Sequence, residues 1–179
     1  ILQTSMIDAT ALGQLKAFAR QDGAILALAW TASFALIVYS PQYSLGNLLA
    51  LATPFIVGWR LSRFRDYALG GLISFRRGFA FSCYTFFYAS LAFALVQYLY
   101  FTFLDNGRME DMLDNTIRVM TPIYKEQGIS PKELSAAAEV LTSLSPIYIA
   151  ITFMMQNLFI GLLLSLPVAL LGRRSKPRL

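Results

Sequence analysis

Residues 78–104 read GFAFSCYTFFYASLAFALVQYLYFTFL, a run of 27 positions without one charged side chain. A helix crossing the ~30 Å hydrocarbon core needs about 20 apolar residues. In lipid the backbone groups of such a segment must be bonded within the segment itself, so it is read as helix and not strand. This stretch therefore places the chain among α-helical membrane proteins.

Three further stretches lack charge: Gly23–Tyr39, about Ser44–Trp59, and about Leu144–Leu171. The expected fold class is an all-α integral membrane protein, a four-helix transmembrane bundle with a two-helix periplasmic cap between spans 3 and 4. Its single membrane domain, 1–179, divides into a cytoplasmic N-terminal segment (1–22), span 1 (23–39), span 2 (44–61), a cytoplasmic arginine loop (60–77), span 3 (78–104), a periplasmic helical loop (105–143), span 4 (144–171) and a basic cytoplasmic tail (172–179). Span 1 follows Lys16 and Arg20 with no small-residue cleavage pattern ahead of a polar mature region. It is therefore expected to be retained rather than removed as a signal peptide. Pro54 and Pro167 are expected to kink spans 2 and 4, because each removes an intrahelical donor.

Composition agrees with that class. Of 179 residues, 56% are hydrophobic and 14% are charged, against about 25% charged in an ordinary soluble domain. Mean hydropathy is +0.55. With no His and a single Cys, a Ser-His-Asp or Cys-His arrangement cannot be built, an internal disulfide cannot form, and a nitrogen/sulfur metal site has no ligand set. No cofactor, no metal and no enzymatic activity are expected.

The net charge of +5 could suggest nucleic acid, but its placement says otherwise. Lys16, Arg20, Arg60, Arg63, Arg65, Arg76, Arg77, Arg173, Arg174, Lys176 and Arg178 fall on one side of the four spans, with Asp8, Asp22 and Asp66. The loop 105–143 holds four basic residues against seven acids, so one side carries +8 and the other −3. The positive-inside rule puts both termini in the cytoplasm. The basicity records orientation, and no nucleic-acid partner is expected.

Within the loop 105–143, Met109, Met112, Leu113, Thr116, Ile117, Met120 and Ile123 recur at helical spacing and form one apolar stripe. Asp105 or Asn106 can cap that helix, and Glu110, Asp111 and Asp114 suit its positive N-terminal end. That preference of acids for a helix start is a simpler account of these three than a catalytic acid cluster. Ser130-Pro131-Lys132-Glu133 reads as a capping box opening a second helix. Such a pair either lies on the bundle or headgroups with its methionines down, or docks a membrane partner through Met109, Met112 and Met120. Phe86 and Phe87 of the aromatic third span are further candidate partner contacts, against a simpler reading in which those rings face lipid.

No Asp, Glu, Lys, Arg or His lies inside the four charge-free stretches, which argues against a proton-coupled or ion-coupled carrier. The polar groups there are amides: Asn47, Gln97, Gln156 and Asn157. As interhelical glue each contributes about 1 kcal/mol or less; as a cluster they could line a pocket for a headgroup or sugar phosphate. Small residues four apart, such as Gly46/Ala50 and Gly161/Ser165, permit close helix approach. Arg60, Arg63, Arg65, Arg76 and Arg77 could contact lipid or phosphate, beyond their role in setting topology.

The stretch Gly70–Phe101, GGLISFRRGFAFSCYTFFYASLAFALVQYLYF, with a long helical loop after it, resembles a family of small four-span inner-membrane proteins of Bacteroidota catalogued as a domain of unknown function. The likeness runs from about Ala24 to Arg174. It carries over no catalytic residue, and it implies an inner-membrane protein often encoded near a polyprenyl-phosphate glycosyltransferase. The expected function is a non-catalytic accessory or scaffold subunit that binds membrane lipids and another membrane protein or a second copy of itself. The alternative is a small transporter or a flippase-like lipid-handling protein.

Overall fold

A computed structural model describes residues 9–128 and 130–175 of the chain. Among the described residues there are seven helices and no strand: α1 (Ala9–Tyr39), α2 (Leu45–Leu51), α3 (Thr53–Ala68), α4 (Phe75–Phe103), α5 (Arg108–Glu126), α6 (Pro131–Ser143) and α7 (Pro146–Gly172). Three of them, over Thr10–Tyr39, Phe75–Phe103 and Pro146–Gly172, are long and apolar enough to cross a membrane. α1 has 31 residues, so at 1.5 Å per residue it is about 45 Å long and exceeds the ~30 Å core.

The expected second span is not one helix. α2 stops at Leu51 and α3 starts at Thr53, with Pro54 in its first turn. Pro54 has no amide hydrogen to donate to Ala50, so the ladder is interrupted there. The Ala52 amide is shared between the carbonyls of Leu48 and Leu49, at 3.0 and 3.2 Å, and the Ile56 amide resumes the ladder on Ala52 at 3.0 Å. The proline that was expected to kink the span divides it. Neither piece alone reaches spanning length.

The chain forms two compact units, one comprising residues up to Ala94 and from Met154 onward, the other Leu95–Phe153. In the first unit, α1, α3, α4 and α7 share one buried core. Leu26, Val57, Leu61 and Phe81 are completely buried in it, and Phe64 and Phe86 nearly so. Phe64 and Phe81 stack with centroids 4.7 Å apart and planes 9° from parallel, and Phe18 packs on Phe64 at 5.2 Å. Trp30 lies 5.7 Å from Phe93 and 6.2 Å from Phe86.

Glycines let backbones meet. A Cβ on Gly23 of α1 would stand 2.7 Å from Tyr88 Cβ and 2.9 Å from the Thr85 carbonyl of α4. One on Gly46 of α2 would stand 2.8 Å from the Ser33 carbonyl of α1. One on Gly161 of α7 would stand 2.5 Å from the ring of Phe86. Two side-chain hydrogen bonds add to the α1 seam: Ser33 Oγ donates to the Gly46 carbonyl at 2.7 Å, and Trp30 Nε1 donates to Thr53 Oγ1 at 3.0 Å.

After α3 the chain turns through Gly70 and Gly71, whose φ values of +63° and +88° suit residues without a Cβ. Ile73 then pairs with Arg174 as an isolated antiparallel bridge, both hydrogen bonds at 3.0 Å. The loop that follows α3 and the segment that follows α7 therefore lie at the same end of this unit.

The second unit holds the end of α4, the helices α5 and α6, and the start of α7. The Asp105 carboxylate accepts the Met109 amide at 3.0 Å at the start of α5. At α6 the expected capping box is formed: Ser130 N–H donates to Glu133 Oε2 at 2.9 Å, and Glu133 N–H donates to Ser130 Oγ at 3.3 Å.

Candidate functional site: the arginine cluster and the α3–α7 groove

Five arginines lie within the eighteen residues 60–77, and the fold sends them to different tasks. Arg60 Nε donates to Asp22 Oδ1 at 2.7 Å, and Arg60 Nη2 also bonds that oxygen. Asp22 is only 2% exposed. A carboxylate in such a place needs a charged partner, because burying it alone costs several kcal/mol. Asp22 was not among the expected site residues. A signal was present: Leu15, Ala19, Asp22 and Leu26 fall four, three and four apart and are all buried, so the acid sits in the inward seam of α1.

Arg65 is spent at a helix end. Its Nη1 donates to the Gly172 carbonyl at 3.0 Å, satisfying the last turn of α7. Its Nε and Nη2 donate to the two oxygens of Asp66 at 2.7 and 3.0 Å. The bond to Asp66 holds the Arg65 guanidinium above its ordinary pKa, with burial opposing. Arg174 Nη1 lies 3.9 Å from Asp66 Oδ1. Arg77 lies over the Phe64 ring at 6.0 Å and is half-buried, while Arg76 is exposed.

Arg63 differs from all of these. It is exposed, and its guanidinium lies over two rings of its own helix, Trp59 at 5.5 Å and Tyr67 at 5.1 Å. Among the described residues no carboxylate stands within 4 Å of it.

Between α3 and α7, an open groove of about 450 Å³ runs along the surface of the unit. Pro54, Gly58, Trp59 and Ser62 form one wall, with Pro167 and Leu171 on the other. Gly58 leaves it open: a Cβ there would meet nothing within 4 Å. The groove was not foreseen, because its width depends on the separation of two helices far apart in sequence.

The amides do not share one environment. Asn47 and Gln156 are exposed and Asn157 is half-buried. Gln97 is buried, and its Oε1 has no hydrogen-bond partner. Of the expected partner contacts, Phe86 is 1% exposed and packs inside the first unit, whereas Phe87 is 46% exposed. Bulk alone could not tell them apart; the facing glycine, Gly161, decides it. In the second unit, Met109 and Met120 are half-buried and Met112 is exposed. Leu113 and Ile117 of α5 face Ala138 of α6 across a shallow groove, while Val119 and Ile123 stay exposed beside Met112.

A family model described as "Protein of unknown function (DUF4199)" matches residues 21–174. No curated protein and no solved structure matches the chain.

Proposed function

The chain belongs to this family of unknown function, and from that premise we propose that it is a non-catalytic accessory or scaffold subunit of a membrane assembly. In this reading it sits in a bacterial inner membrane and crosses it four times, with α2 and α3 together making the second crossing. Both termini are cytoplasmic, and α5 and α6 form a periplasmic cap. The bridge from Ile73 to Arg174 supports a common side for the arginine loop and the tail.

The observation that carries the reading is the exposed stripe of α5. Met112, Val119 and Ile123 lie along one line of the helix, at 36%, 61% and 49% exposure. α6 covers only the neighbouring Leu113–Ile117 side. Seven acids against four bases surround this stripe in residues 105–143, which disfavours anionic headgroups and favours an apolar protein surface. Met-bearing faces re-pack readily against partners. The resemblance noted above makes a polyprenyl-phosphate glycosyltransferase the first partner to examine.

A photo-crosslinking residue at Met112 or Val119, followed by purification in mild detergent, tests the reading. One discrete crosslinked product is expected from those positions and none from Lys132. Recovery of the free monomer alone would count against it. A second reading, lipid handling, has the α3–α7 groove in its favour; lipid scrambling by the reconstituted chain would support it.

A further inference from the structure

The α3–α7 groove is lined by Trp59, Ser62 and Gly172, and the Arg63 guanidinium lies 5.5 Å from the Trp59 ring. Ser62 on α3 is followed by Arg63, and Gly172 at the end of α7 is followed by Arg173. The bond from Arg65 to the Gly172 carbonyl sets these two helix ends side by side. Arg63 and Arg173 are both exposed, and among the described residues neither has a carboxylate within 4 Å. The other arginines nearby are committed: Arg60 to Asp22, and Arg65 to Asp66 and Gly172.

We propose that the groove holds one acyl chain of an anionic glycerophospholipid, with its phosphate gripped by Arg63 and Arg173. Arg63 is suited to the task. Its guanidinium is held over Trp59 and Tyr67, and a pre-oriented planar fork matches two phosphate oxygens. Trp59 and Tyr67 are 54% and 78% exposed, as befits an interfacial aromatic pair that marks headgroup depth.

The groove reaches into one leaflet. From Pro54 to Ser62 is eight residues of helix, about 12 Å at 1.5 Å per residue. That is close to one leaflet of hydrocarbon, half of the ~30 Å core. A groove of that depth takes the part of a lipid chain nearest the headgroup. Charge complementarity between two arginines, unpaired among the described residues, and a phosphate is what points to an anionic glycerophospholipid of that leaflet. This site shares no residue with the α5 stripe, so the two proposals stand or fall separately.

Native mass spectrometry of the full chain, released from nanodiscs of mixed phosphatidylglycerol and phosphatidylethanolamine, tests the site. One tightly retained phosphatidylglycerol per chain is expected. Each of Arg63→Ala and Arg173→Ala should weaken its retention ~5-fold, from the roughly 1 kcal/mol that one basic residue contributes at an anionic surface. Arg76→Ala, which removes an exposed arginine outside the groove, should leave retention unchanged. Gly58→Phe fills the groove with both arginines in place and should also release the lipid; its open surroundings allow the fold to persist, which a thermal melt checks. Equal retention of both lipids would overturn the proposal, as would an equal loss in Arg76→Ala. Preferential capture of a polyprenyl phosphate in competition would overturn the choice of occupant.

Discussion

The seam around α1 and the α5–α6 hairpin use apolar residues in opposite ways. Along α1 the sequence is apolar on nearly every face, yet Leu15, Ala19, Asp22 and Leu26 are buried while Leu28 is 70% exposed. Along α5 the apolar residues keep strictly to one stripe, yet no α5 residue is buried. A carboxylate is thus more deeply enclosed than any methionine of the hairpin. In a membrane the solvent is itself apolar, so hydrophobicity does not choose the inward face. Small residues and paired polar groups choose it instead. Along α5 the pattern does choose a face, but α6 leaves Met112, Val119 and Ile123 of it exposed.

The comparison can be broken most forcefully at the ion pair. Arg60→Ala should leave Asp22 buried without a counter-charge and cost about 3 kcal/mol. The double replacement Asp22→Leu with Arg60→Leu should recover most of that loss. A double-mutant cycle in a denaturing-detergent titration would show whether the seam depends on pairing or only on filling.

Next in size is Gly23→Leu. Its side chain would press on the Tyr88 Cβ and the Thr85 carbonyl. An overpacked contact of this kind costs about 2 kcal/mol, read as a lower midpoint in the same titration. The matching change at Gly58, which faces open space, should be close to neutral.

In the hairpin, Ser130→Ala removes half of the capping box at α6. It should cost about 1 kcal/mol, read as helicity lost on heating. Smallest is Val119→Ser, at an exposed position of the α5 stripe. Stability should change by less than about 0.5 kcal/mol, while the crosslinked product from Met112 should disappear. A large stability loss here would mean that the stripe is internal packing rather than a docking face.

Local features were legible because they are decided within a few residues. The Ser130–Glu133 box follows from spacing alone and is formed; at α5 the cap position is Gly107 rather than Asp105 or Asn106, although Asp105 still accepts the Met109 amide. Of the small residues chosen for helix approach, Gly46, Gly161 and Ser165 are buried and Ala50 is exposed. The fate of the arginines was not legible. Arg60 and Arg63 are three apart on one helix, and nothing in their spacing says which meets an acid from α1. Likewise Phe86 and Phe87 are adjacent, and only the position of Gly161 separates a buried ring from an exposed one.

The amino-acid sequence by itself determines that this is a helical chain with membrane-spanning segments. A run of 27 uncharged residues leaves the backbone no other way to satisfy its hydrogen bonds in lipid. The tertiary structure alone decides which of its charges are consumed and which remain available. Asp22 lies 38 residues from Arg60, and Gly172 lies 107 residues from Arg65. Those distances are closed only when the helices pack, and that packing leaves Arg63 and Arg173 exposed, next in chain to Ser62 and Gly172 of an open groove.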